Sequence, residues 1–149
     1  MSKKLDDVVI TSALRTPIGT YKGSLKNLSA DKLGALAIKE AVHKSNLKSE
    51  QIDEVIMGHV LTSGLGQNPA RQASINAGIP VSKPAHIVNQ VCGSGLRSIV
   101  SGFQSIKLEE DMIVVSGGQE NMSRAPHALF YRENKKLDES KLIDTMIND

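Results

Sequence analysis

Ala85-His86-Ile87-Val88-Asn89-Gln90-Val91-Cys92-Gly93-Ser94-Gly95 decides how the chain is read. It opens with the β-branched, nearly continuous apolar character of a buried strand, so residues 85–91 are expected as a strand. Cys92-Gly93-Ser94-Gly95 breaks that pattern. Leu96, Ile99, Val100, Phe103 and Ile106 then recur at helical spacing, so the chain passes from a strand through a short glycine-rich turn into a helix.

The same alternation extends in both directions. Val8–Ala13, Glu54–Val60 and Met112–Gly118 are short apolar runs of strand character, and Val8–Ala13, nearly continuous and β-branched, is expected to be buried like the strand before Cys92. Between the first two, Ser29 as N-cap and Asp31 in the first turn open a helix over roughly residues 30–46. Its apolar positions cover more than one face, which predicts burial on two sides. Asn68-Pro69 starts another helix and Gly78 ends it, because proline suits the first helical position and glycine the left-handed cap. Strands alternating with helices imply βαβ units and a parallel or mixed sheet. Residues 119–138 carry no strand pattern and are expected as a loop leaving the sheet. Ser140–Asp149 is amphipathic without a helix stop signal.

Composition narrows the class. The chain has 149 residues, 40% of them apolar and 23% charged, the balance of a globular domain with its own core. Aromatic residues make up only 3%, so that core is aliphatic. Net charge is +2, from 18 basic and 16 acidic residues. The densest basic cluster, Arg132 with Lys135 and Lys136, has no stacking aromatics around it, so a nucleic-acid partner is not expected. The N-terminus turns acidic before any apolar run, and no stretch approaches the ~20 apolar residues that span a bilayer. A cytoplasmic protein with no membrane partner is the expectation. One cysteine allows no internal disulfide and no multi-cysteine zinc site, and no metal site is expected.

Cys92 is the residue best placed for chemistry. Unpaired N–H groups at the start of the following helix would stabilise a thiolate, and a backbone N–H in the turn could serve an oxyanion. Gly93 and Gly95 clear space for a carbonyl to approach the backbone. A buried free cysteine acting only as a small hydrophobe is the competing reading. Ser94 is a rival nucleophile without an adjacent base. His59 and His86 read as structural residues, His43 as solvent-facing and His127 as a loop residue. The stretches Gly64–Pro69 and Gly19–Ser24 fail the spacing of dinucleotide and P-loop motifs.

Residues 88–98, Val-Asn-Gln-Val-Cys-Gly-Ser-Gly-Leu-Arg-Ser, resemble the nucleophile segment of thiolases. Arg15–Gly19, Gly66–Gln72, Gly117–Ser123 (Gly-Gly-x-Glu-x-Met-Ser) and Ile143–Ile147 resemble further segments of that family, in the family's order. The closest likeness is to the acetyl-CoA acetyltransferases. The resemblance implies a partial three-layer α-β-α fold with a mixed sheet: a half-domain over 1–118 and the start of a loop domain over 119–149. It implies Cys92 as the residue that takes an acyl group from acyl-CoA, with Asn89, Gly93 and Glu120 supporting the site. The reaction implied is Claisen condensation of two acetyl-CoA, or its reverse thiolysis, with CoA thioesters as substrates, no separate cofactor, and a homo-oligomeric full-length protein. The family's Gly-His-Pro motif and second cysteine have no counterpart here, so turnover by this chain alone is not expected. The family's second half would cover one face of the sheet, so an exposed apolar patch is expected without it. A ketoacyl-synthase-type condensing enzyme and a non-catalytic thiolase-like interaction module are the alternatives; Gly66–Gln72 and Gly117–Ser123 favour a thiolase over a synthase.

Overall fold

A computed structural model describes residues 7–130 and 141–148 of the chain. In order, helix α1 (Ala30–Lys44) precedes strand β1 (Glu54–Gly58), helix α2 (Pro69–Asn76), strand β2 (Ala85–Val88), helix α3 (Ser94–Lys107) and strand β3 (Val114–Gly118). Two short strands follow, β4 (His127–Ala128) and β5 (Ile143–Asp144). The sheet has the order β2-β1-β3, with both pairings parallel, as the intervening helices require. β4 and β5 pair antiparallel, outside that sheet.

The three layers follow from side-chain alternation on β1. Val55 and Met57 point to one face and join Ile38, Val42 of α1 and Ala70, Ala73 of α2 in the aliphatic core. Gly58 points to the other face, against α3. α2 starts as the sequence predicts: Asn68 caps it by accepting the Arg71 N–H at 3.0 Å, and Pro69 takes the first position. Gly78 sits at φ +92°, the left-handed conformation that ends the helix without a Cβ penalty. Asp53 ties the lower ends of β1 and β3 together. Its carboxylate accepts the N–H groups of Met112 and Ile113 at 3.0 Å each, which hold its pKa below the ordinary value.

Several expectations are corrected. Val8–Ala13 forms no strand. A strand requires a neighbour's ladder, and this segment is instead tethered through side chains, Ser12 Oγ donating to Ala41 O at 2.9 Å. Between it and β3 lies a groove of about 480 Å³, so Val9 and Ile10 are exposed and not buried. α1 buries one face, through Ala35, Ile38 and Val42, and Leu36 stands exposed. Ser29 is the N-cap residue of α1 but makes no side-chain cap. The stretch after Gly118 contains a 3-10 turn at Met122–Arg124 and β4, and Ile143–Asp144 is a strand where an amphipathic run was expected. The cluster Arg132, Lys135 and Lys136 lies outside the described residues.

The periodicity of α3 leaves open which of its faces meets the sheet. Its apolar positions do not face the sheet. Ser94, Ser98, Gly102 and Ser105 are buried, while Leu96, Ile99, Val100 and Phe103 are exposed. Small residues let the helix approach closely: Ser98 Oγ reaches both Gly95 O and Gly117 O at 2.7 Å. A Cβ on Gly58 would lie 2.5 Å from Gly95 N, and one on Gly118 would lie 3.4 Å from Gly95 Cα. Leu96, Ile99, Val100 and Phe103 therefore form an exposed apolar stripe on the helix, not on a face of the sheet.

Candidate active site

The parallel register aligns Gly58 with Gly118 and with Val88, so the carboxyl ends of all three strands lie at one level. Open parallel sheets bind ligands outside these ends. The turn from Asn89 to Gly93 leads from β2 into the N-terminus of α3 there, and Cys92, in that turn, is exposed. The cysteine is therefore no buried hydrophobe.

The turn is strained and braced. Val91 has φ +49°, a left-handed conformation that a β-branched residue adopts only under constraint. Such a residue costs on the order of 1–3 kcal/mol. Asn89 Oδ1 accepts the Val91 N–H at 3.0 Å. Ser94 Oγ accepts the Gln90 N–H at 2.8 Å and donates to Val91 O at 2.6 Å. The N–H groups of Gly93 and Ser94 close on Gln90 O and Val91 O at 3.0 and 3.1 Å. A Cβ on Gly93 would stand 3.2 Å from Gln90 O, tighter than most side chains accept. Ser94, weighed above as a rival nucleophile, is buried and committed to this bracing.

Glu120 follows β3 and holds a different loop. Its Oε2 accepts the N–H groups of Val60 and Leu61 at 3.0 and 3.3 Å, and its Oε1 stands 3.2 Å from His59 Nε2. Burial pushes the Glu120 pKa up, but the His59 contact and the two backbone donors outweigh it and leave the carboxyl below its ordinary value. Gln119 Nε2 stands 3.2 Å from His59 Nδ1, both residues being buried. Asn121 completes the loop, donating to Leu25 O at 3.1 Å and accepting the Ser123 N–H at 3.0 Å.

Asn89 and Gly93 thus lie in the Cys92 turn, whereas Glu120 braces the loop after β1 rather than that turn. His59 and Gln119 were not singled out for the site from sequence, though one signal pointed to them. Each follows the last glycine of a neighbouring parallel strand, so the register brings them together. His43 and His127 are exposed, and His86 pairs with Glu54 at 3.0 Å, away from the strand ends that carry Cys92. In the Gly66–Gln72 segment the polar groups are used structurally: Arg71 donates to Val81 O and Lys83 O at 2.8 and 3.2 Å, and Asn68 to Ala85 O at 2.9 Å. Among the described residues no group of three or more His, Cys, Asp or Glu is placed to hold a metal, and no helix is long and apolar enough to cross a membrane.

A cysteine in a strained turn, at the carboxyl ends of parallel strands and the amino end of a helix, defines an α/β protein with the geometry of a nucleophile elbow. Residues 8–149 match the family model described as the N-terminal domain of thiolase, and the chain belongs to the thiolase family. It is 51% identical over 146 residues to acetyl-CoA acetyltransferase of Cupriavidus necator, covering 97% of this chain and 37% of that protein. It is 46% identical over 149 residues to the cytosolic acetyl-CoA acetyltransferase of Rattus norvegicus, covering 100% of this chain and 38% of that protein. A crystal structure of Acat5 thiolase from Ascaris suum in complex with coenzyme A superposes with a TM-score of 0.91 at 42% identity, over 97% of this chain and 37% of that one. The chain thus spans a little over a third of the length of these relatives.

Proposed function

We propose that this chain carries the nucleophile of an acetyl-CoA C-acetyltransferase. The Cys92 thiolate attacks the thioester carbonyl of an acyl-CoA, the carbon–sulfur bond to CoA breaks, and CoA leaves as a thiolate that takes up a proton. The acyl group remains on Cys92 as a thioester. A second acetyl-CoA loses an α-proton to a base this chain does not supply, balancing the proton taken up by the CoA thiolate, and its carbanion attacks the acyl carbon, forms the new carbon–carbon bond and releases Cys92 as a thiolate; thiolysis is the reverse. The N–H groups of Gly93 and Ser94 are already taken by Gln90 O and Val91 O, so a different backbone N–H of the turn would have to receive the developing oxyanion. Asn89 and Gly93 hold the turn, and Glu120 holds the neighbouring loop.

The observation that carries this reading is the exposure of Cys92 in a turn where Val91 is held at positive φ by Asn89 and Ser94. The chain contains one cysteine and no Gly-His-Pro sequence, so by itself it stops at the acyl-enzyme stage. The remaining proposals follow from the family resemblance: residues 1–118 as a half-domain with 119–149 opening a loop domain, and a homo-oligomeric full-length enzyme; a cytoplasmic location is supported by cytosolic relatives of rat and mouse. The exposed apolar stripe of α3 also suits a non-catalytic interaction module.

Incubation with acetyl-CoA followed by intact-mass measurement separates the two. An acetyl adduct absent from Cys92→Ser supports the acyltransferase reading. A folded protein that never acquires the adduct, alone or with a full-length thiolase, favours the interaction module.

A further inference from the structure

His59 is 1% exposed and touches the carboxyl ends of all three strands. It continues β1 directly from Gly58. Its own N–H donates to Val88 O, the last residue of β2, at 3.1 Å. Its imidazole lies between the two residues that follow β3, with Nδ1 3.2 Å from Gln119 Nε2 and Nε2 3.2 Å from Glu120 Oε1. When the Gln119 amide donates to Nδ1, the ring proton sits on Nε2 and faces the carboxylate. From Glu120 the chain of contacts continues to the N–H groups of Val60 and Leu61. Gln119 is in turn seated beneath α1, where a Cβ on Gly34 would stand 3.1 Å from its Cδ.

A wholly buried imidazole is costly unless its nitrogens are matched. Here Nδ1 is matched by Gln119, while Nε2 faces Glu120 Oε1 at 3.2 Å without hydrogen-bond geometry, at the level from which the Cys92 turn departs. Val88, which accepts the His59 N–H, is followed immediately by Asn89, the residue that caps Val91. Gly58, just before His59, lies against the backbone of Ser94 and Gly95, which follow Cys92. Both stems of the turn therefore abut the His59 position.

We infer that His59 is a positioning residue for the Cys92 turn, clamping the ends of β1, β2 and β3 through Val88, Gln119 and Glu120. The inference rests on Cys92 as the reacting thiol but is tested by a readout that needs no acyl transfer. Amide hydrogen exchange is measured at Gly93 and Ser94 in the turn, at Val60 and Leu61 in the loop, and at Asp53 and Val55 at the far end of β1.

His59→Leu keeps the bulk and removes both contacts. Protection at Gly93, Ser94, Val60 and Leu61 is expected to fall about tenfold, as for loss of a net hydrogen bond, with Asp53 and Val55 unchanged. His59→Gln can donate to Glu120 and accept from Gln119, and is expected to remain within about threefold of the unaltered protein. Should the leucine variant not fold, His59→Asn, too short to reach both partners, carries the same comparison. Unchanged turn protection in a folded variant, or an equal fall at both ends of β1, overturns the inference. So does a glutamine variant as poor as leucine. An absent acetyl adduct on the unaltered protein, with local exchange behaving as expected, removes the acyltransferase reading and leaves the clamp standing.

Discussion

Gly58→Ala tests whether close approach of α3 to the sheet fixes the Cys92 turn. The added Cβ would lie 2.5 Å from both Gly95 N and Ser94 O, where ordinary contact begins at 3.4 Å. The difference, 3.4 minus 2.5, requires α3 to retreat by at least about 0.9 Å, since the Ser94 carbonyl carbon would lie closer still. The obstructing atoms are helix backbone, so no side-chain rotation relieves the contact. Overpacking of this kind costs about 1–3 kcal/mol. Retreat would also weaken the Ser98 Oγ bond to Gly117 O, 2.7 Å long, with a loss of about 1 kcal/mol. The reduced entropy of the unfolded alanine chain offsets about 0.5–1 kcal/mol, leaving a net loss of about 2 kcal/mol. Gly95→Ala is the control: its nearest neighbour would be Gly118 Cα at 3.9 Å, so it fits and should stabilise by about 0.5–1 kcal/mol. Urea unfolding monitored by circular dichroism measures both, with the m-value checked for constancy. If Gly58→Ala unfolds within about 0.5 kcal/mol of the unaltered protein, the close-packed interface is refuted.

Acid should unfold the protein through Asp53 and Glu120. Both carboxyls are held below their ordinary values in the folded state, so the stability they confer is present above the unfolded pKa and lost as pH falls through the folded one. Asp53→Asn exchanges two charge-assisted bonds for neutral ones; it should cost about 1 kcal/mol at pH 7 and flatten the loss below about pH 4, measured by thermal melts across pH. Leu96→Gln, at a position 70% exposed, should change monomer stability by less than about 0.5 kcal/mol, while the combined Leu96→Gln and Phe103→Gln should reduce binding of a hydrophobic dye. A loss of about 3 kcal/mol or more for Leu96→Gln would mean that this stripe is core.

The alternation of strands and helices was legible because β1, β2 and β3 are short apolar runs bounded by punctuation: Asn68-Pro69 before α2, Gly78 after it, and the glycine-rich turn before α3. Cys92 was legible from its place between a strand and a helix. What could not be read is which face of an amphipathic helix meets the sheet. Periodicity gives the stripe but not its direction, and in α3 the buried stripe is Ser94, Ser98, Gly102 and Ser105. The segment Val8–Ala13 misled for a related reason: β character is a property of pairing, and among the described residues no strand pairs with it. The strain at Val91 and the burial of His59 depend on contacts made across the register of separate strands, which local pattern does not carry.

The inversion of α3 links the packing to the chemistry. A helix stabilised by its sheet contact alone would turn its large apolar residues inward, because buried apolar area is the main favourable term. α3 gives up that area on the sheet side and spends serine and glycine there. What this secures is distance: the helix backbone comes to Gly58 and Gly118 closely enough that Ser98 bonds a strand carbonyl directly. A wider, leucine-filled interface would lift the N-terminus of α3 from the strand ends. The five residues between Val88 and Ser94 would then have no need of a left-handed Val91 to span the gap. The strained turn thus accompanies the close interface, and the turn that carries the exposed Cys92 is fixed at both ends: Val88 to His59, and Ser94 against Gly58.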